Sequence, residues 1–353
     1  MRKLFTLALL ASTLYAQEVF RITPQRPIEQ LRREALAAQP PQETGKRKPE
    51  LVELTTLDPT IKLDIRYATA NNFLSTPVYE QARAFLQEPA AKALVKAHRW
   101  LKKRGYGLLI HDAYRPWYVT KIFWEATPPD QREFVADPAT GSRHNRGAAV
   151  DLTLYDVKTG EAVEMPSLYD EFSPRAYPTY AGGTAEQRRL RDLLREAMEK
   201  HGFKVIENEW WHFDYKEWRE YPILNVALQH AKCRGAKGVV YYISEWLRGY
   251  SGPIFELTKP NDEDPVVAPR ITNLVDPEYS DEAREKKTQG TVVMSILVGT
   301  DGAVHLVRIE CGPGRGLDEN AAEALRSSRF QPGTRHGHPV PVLTHVETSF
   351  RLY

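Results

Sequence analysis

Ser142-Arg143-His144-Asn145-Arg146-Gly147-Ala148-Ala149-Val150-Asp151 sets a histidine and an aspartate seven positions apart, at the head of the apolar run Leu152-Thr153-Leu154. Gly147, Ala148 and Ala149 let backbone pack closely between them, so the ionisable pair is left to converge on a common point. Alone, the pair also fits a solvated loop histidine beside a strand-edge aspartate. A second stretch, Glu209-Trp210-Trp211-His212, adds another histidine with a carboxylate three residues ahead of it. Together they supply His, Asp, His and a spare Glu. A catalytic zinc needs three protein ligands of this kind, an open fourth position, and a carboxylate to take a proton from water. The strand after Asp151 buries that carboxylate's surroundings, and a buried carboxylate needs a cation or hydrogen-bond donors.

The adjacent tryptophans form a wall that excludes water beside His212. The aromatic run through Phe213 and Tyr215 favours a strand, with Glu209 in its entry turn. An aromatic core strand carrying a surface Glu is the plainer alternative. Asp214 reads either as a partner of a metal ligand or as a solvent-facing strand carboxylate. Asp112 and Arg115 follow an expected strand over Gly107 to His111, in a loop that Pro116 holds out of helical geometry. There Arg115 fits stabilisation of an oxyanion, and equally a structural pairing with a carboxylate.

With 353 residues, 42% of them hydrophobic, the chain can bury a substantial core, and its length suggests two domains. The 48 basic and 46 acidic residues leave a formal charge of +2, so bulk charge indicates no nucleic-acid partner. Cys233 and Cys311 are the only cysteines, which excludes a disulfide-rich scaffold and a Cys-ligated structural zinc. In an exported chain they could form one bridge.

Met1-Arg2-Lys3, the apolar run Leu4 to Leu14, and Tyr15-Ala16-Gln17 have the layout of a secretory signal over residues 1–16. The run is too short for a membrane span, which takes about 20 apolar residues, so no retained anchor is expected. Residues 17–50, rich in Pro, Gln, Arg and Lys, read as a linker or arm with little core. Ile61 to Tyr67 alternates like a half-buried strand, Ala90 to Arg104 and Ala185 to Gly202 carry helical spacing, and Val239 to Ile243 fits a strand or a short helix. The main domain is expected at 51–225, a polar connection at 226–264, and a small α+β domain at 265–353. The latter has strands at Thr291 to Gly299 and Val304 to Glu310 around an Asp301-Gly302 turn, a helix at Leu317 to Ser328, and a last strand over Leu343 to Leu352.

The two motifs, with Arg66-Tyr67-Ala68-Thr69-x-Asn71-Asn72-Phe73, His111-Asp112-Ala113-Tyr114-Arg115-Pro116 and Met165 through Tyr169-Asp170-x-Phe172, resemble the zinc D-alanyl-D-alanine dipeptidases of the VanX type over about Leu51 to Asn225. The resemblance implies a mixed α/β zinc peptidase in which His144, Asp151 and His212 hold the metal, Glu209 activates the attacking water, and Arg115 stabilises the transition state. It places Tyr67, Ser142 and Asp170 around the substrate, with Asp170 receiving its free ammonium. A carboxylate buried there rewards a free amine and penalises a longer peptide. A D,D-carboxypeptidase or other peptidoglycan peptidase would use the same metal centre.

Pro277-x-Tyr279-Ser280-x-x-Ala283-Arg284, Gly290-Thr291-Val292, Asp301-Gly302-x-Val304, Gly316-Leu317-Asp318-x-x-Ala321 and Phe330-x-Pro332 resemble a TonB C-terminal domain across about Pro265 to Tyr353. That family engages outer-membrane receptors by strand pairing at a sheet edge. The resemblance implies an envelope partner, a periplasmic setting, and a docking or purely structural module. A non-catalytic envelope adaptor is the rival from outside enzymes.

Overall fold

A computed structural model describes residues 20–231, 236–257 and 264–352, excluding the side chains of 236 and 237. The signal expected at 1–16 and Cys233 lie outside these residues. The arm begins with helix α1 (Ile28–Leu36), which buries Ile28, Leu31, Ala35 and Leu36 against the main domain. The arm's charges and prolines had suggested little core. Apolar residues at helical spacing inside α1 override that composition, and arm residue Glu43 binds Arg146 and the Ile223 N–H.

The main domain continues with β1 (Leu51–Glu53), α2 (Leu54–Leu57), β2 (Lys62–Leu63), β3 (Phe85–Gln87), α3 (Glu88–Lys102), β4 (Tyr106–Asp112), α4 (Trp117–Ala126), β5 (Ala149–Asp156), α5 (Ala185–Lys200), β6 (Phe203–Val205) and β7 (His212–Tyr215). Its five-stranded sheet runs β2-β4-β5-β7-β6, antiparallel except for the parallel β2–β4 pair. Strand β5 is buried along nearly its whole length, as a central strand covered on both faces must be. Helix α5 starts at a reciprocal capping box between Thr184 and Gln187, and Gly202, at φ +88°, turns the chain into β6.

The strand expected over Ile61 to Tyr67 is only two residues long. Asp64 accepts from Arg66 Nε at 2.6 Å, and a 3-10 turn over Arg66–Ala68 takes Tyr67 into the interior. The Asp64 N–H still donates to Ile110 O at 2.8 Å, and the chain leaves the sheet after it.

The second sheet runs β8 (Ala236–Ile243), β13 (Val304–Cys311), β12 (Gly290–Val298), β17 (Val342–Phe350) and β9 (Phe255–Glu256), and the short elements α6 (Glu245–Gly249), β10 (Val266–Val267), β11 (Arg270–Asn273), α7 (Asp281–Glu285), β14 (Arg329–Gln331), β15 (Thr334–Arg335) and β16 (His338–Pro339) lie around it. Helix α8 (Leu317–Ser327) packs on it through Leu317, Ala321, Ala322 and Leu325. Both edge strands come from the segment read as a polar connection. Cys311, wholly buried on β13, is disulfide-bonded. This domain keeps an apolar core of its own, while Leu247, Leu297, Leu306 and Leu343 join the core of the main domain. Tyr114 Oη donates to Val226 O at 2.8 Å, and the Ala227 N–H donates to Glu310 at 3.1 Å. Among the described residues no helix is long and apolar enough to cross a membrane.

Candidate metal centre and peptidase site

Sheet register brings the two motifs together. Asp151 on β5 is the direct cross-strand partner of His212 on β7, so both side chains leave the same face. His144 sits on a 3-10 turn that ends at Gly147, at φ +63°. A Cβ on Gly147 would lie 2.5 Å from the Leu51 side chain, so glycine is needed both for the turn and for the close approach.

His144 Nε2 and His212 Nδ1 are 3.0 Å apart, and they stand 3.2 and 3.0 Å from Asp151 Oδ1. Buried Asp151 Oδ1 has no hydrogen-bond partner. A triangle of this size matches ligands held about 2 Å from a tetrahedral zinc, and the unpaired buried oxygen asks for a cation. The other imidazole nitrogens are fixed: His144 Nδ1 lies 2.7 Å from Ala113 O, and His212 Nε2 lies 2.9 Å from Asp214 Oδ1. Each donates away from the triangle and leaves a lone pair pointing in. Burial opposes a charged His212, yet the carboxylates of Asp151 and Asp214 beside it raise its pKa to about 10. A dication at the triangle would take that proton's place. The residues present fit zinc.

The triangle borders a cavity of about 220 Å³ that Tyr67, Arg115, Ser142, Asp170 and Glu209 also line. The eight residues that the family resemblance assigns to the site all line it. Glu209 Oε2 is 3.7 Å from His212 Nδ1, and its burial, with His212 lowering and Asp151 raising, moves it up to about 7. Arg115 Nη2 lies 2.7 Å from Asp112 Oδ2 and 3.8 Å from Asp151 Oδ2. Asp112, itself held by Tyr79 Oη at 2.7 Å, aims it. Arg115 is thus paired with a carboxylate and also lines the cavity. Asp170 accepts from Tyr67 Oη at 2.9 and 3.1 Å. Burial first, then the nearby Asp151 charge, push its carboxyl well above the usual range. Its φ of +58° is a left-handed conformation uncommon outside glycine, which points to a constrained position. Ser142 Oγ accepts from the His144 N–H at 3.2 Å.

Two supports were not read from the sequence. Tyr169 Oη donates to Asp151 Oδ2 at 3.0 Å and lies 3.1 Å from Tyr67 Oη, linking the triangle to the Asp170 end. Its place next to Asp170 was the available signal. The Ala113 carbonyl that orients His144 is backbone, invisible to any residue pattern.

Residues 47–230 match the family model described as D-ala-D-ala dipeptidase, and residues 275–352 match that of the Gram-negative bacterial TonB protein C-terminal. The chain is 37% identical over 175 residues to a D-alanyl-D-alanine dipeptidase of Escherichia coli, covering 50% of this chain and 89% of that one. It is 35% identical over 180 residues to a D-alanyl-D-alanine dipeptidase of Enterococcus faecium, covering 46% and 89%. A solution structure of the Pseudomonas aeruginosa TonB C-terminal domain overlaps 27% of this chain and 94% of its own, at 23% identity and a TM-score of 0.22. With more than half its length inside the first model, this chain belongs to the D-Ala-D-Ala dipeptidase family and carries a TonB C-terminal domain behind the peptidase domain.

Proposed function

We propose that the main domain hydrolyses D-alanyl-D-alanine to two D-alanines in the cell envelope, with zinc held by His144, Asp151 and His212. The observation that carries this reading is the single cavity in which an open three-donor face meets Glu209, Arg115 and Asp170. Zinc, when bound, supplies a Lewis acid at that face. Asp170 receives the substrate ammonium, which gives its buried carboxylate the counter-charge it lacks. A substrate acylated at that amine would leave Asp170 buried and unpaired, so the site favours a free dipeptide over a longer peptide. Tyr67 and Ser142 orient the dipeptide. Arg115, held by Asp112, faces the oxygen on which charge develops. Glu209 takes a proton from the attacking water and passes it to the departing amine.

The C-terminal domain would hold the enzyme to an envelope protein by strand addition. Strand β9 pairs with β17 only at Val342 and Leu343, leaving the outer edge of β17 beyond Leu343 unpaired among the described residues. A periplasmic location follows from this reading. Glu209→Gln tests the chemistry: the variant should retain zinc and lose at least about 10²-fold in kcat. A zinc-loaded variant with wild-type turnover would remove Glu209 from its role.

A further inference from the structure

Arg143, Ile206 and Asn208 line the catalytic cavity and also a second, larger cavity of about 610 Å³, so the two adjoin at these residues. The inner lining sets Glu133, Asp151, Asp170 and Glu209 against Arg115 and Arg143, with the Asp170 carboxyl at its far end from the outer cavity's lining. The outer one carries Arg143, Lys204, Lys216 and Arg219 against Glu207 and Asp214, and Asp214 is already engaged by His212 and by Arg143 Nε at 3.4 Å. Lys204 and Lys216 are exposed and enter no ion pair among the described residues. Trp218 forms a platform beneath the Arg143 and Arg219 guanidinium groups, whose centres lie 5.0 and 4.2 Å from its ring.

A zwitterionic dipeptide with its ammonium on Asp170 extends from the acidic inner end toward this basic outer one. We infer that Arg143 receives the carboxylate of the leaving residue, and that the groove behind it accepts leaving residues with acidic side chains. This rests on the dipeptidase reading of the inner cavity and adds the specificity of its other end. Arg143 offers a planar fork suited to a carboxylate. The outer cavity is far larger than an alanine methyl requires, and its net positive lining favours anionic extensions over cationic ones.

The test compares D-Ala-D-Ala, D-Ala-D-Glu, D-Ala-D-Lys and D-Ala-D-Ala amide with zinc-loaded full-length protein. Wild type should cleave D-Ala-D-Glu at least as efficiently as D-Ala-D-Ala, and about tenfold better in kcat/KM than D-Ala-D-Lys. Arg143→Gln should raise KM for D-Ala-D-Ala about tenfold with kcat within about twofold, retain zinc, and leave amide kinetics unchanged. Lys204→Glu should narrow the Glu-over-Lys preference. Equal slowing of the acid and the amide, or loss of zinc, would make Arg143 a structural support for Asp214 and overturn the inference. Wild-type indifference to side-chain charge would overturn it as well. Failure of wild type to cleave D-Ala-D-Ala at all would instead overturn the dipeptidase reading, and this subsite with it.

Discussion

Asp214→Asn is the substitution whose effect can be worked most fully from the geometry. Asp214 Oδ1 accepts from His212 Nε2 at 2.9 Å, and Arg143 Nε lies 3.4 Å from its other oxygen. Burial raises the Asp214 carboxyl, but the bond and charge of His212 outweigh this and hold it below the ordinary range, so it is ionised at neutral pH. Asn keeps the shape and removes the charge. A hydrogen bond to a charged group contributes about 1.5–3 kcal/mol, and about 1.4 kcal/mol is a factor of ten. The expected loss of zinc affinity is therefore about 10–100-fold, the range typical of partners that orient metal-ligating histidines. Competition for zinc against a chromophoric chelator measures it, with circular dichroism confirming the fold. A dissociation constant within about twofold of wild type would show that Asp214 does not orient His212, and would undercut the assignment of His212 Nδ1 as the inward-facing donor.

Gly147→Ala places a Cβ 2.5 Å from Leu51 at a φ of +63°; thermal unfolding should show a loss of about 2 kcal/mol or more, with zinc affinity also reduced because His144 lies on the same turn. His98 is fully buried, accepts from the Leu108 N–H at 3.0 Å and contacts Thr60 Oγ1 at 2.9 Å, and burial pushes it down to about 4. The unfolded chain then binds the extra proton, so this contribution is complete above about pH 6.5 and is lost as pH falls toward 4, by about 2 kcal/mol after allowing for solvent screening. Denaturant titrations should give His98→Asn a shallower stability loss than wild type across that window; parallel curves would contradict it.

The metal triangle was legible because His144, Asp151 and His212 lie in short, chemically distinctive stretches, whereas Tyr67, Ser142 and Asp170 entered through the family resemblance. Two histidines, an aspartate and a spare glutamate have few shared uses, and the β5–β7 register needed only to align Asp151 with His212. What the sequence hid were long-range partnerships. Helix α1 carries a strongly polar composition, and only the surface of α4 reveals which of its residues are covered. Strands β8 and β9 flank a sheet built mostly from residues beyond 289, so no local pattern ties them to it. Val239 to Ile243 left strand and helix open until β13 supplied the ladder. Ile61 to Tyr67 alternates as a strand does, yet the chain leaves the sheet for the 3-10 turn over Arg66–Ala68, which no local pattern marks.

The central claim is tested most directly by D-alanine release from zinc-loaded protein given free D-Ala-D-Ala or a pentapeptide ending in the same two residues. Release from the dipeptide with none from the pentapeptide is the expected result, because only a free amine satisfies buried Asp170. Efficient release from the pentapeptide would contradict the role of Asp170 and make the enzyme a carboxypeptidase, and release from neither would contradict the dipeptidase account itself.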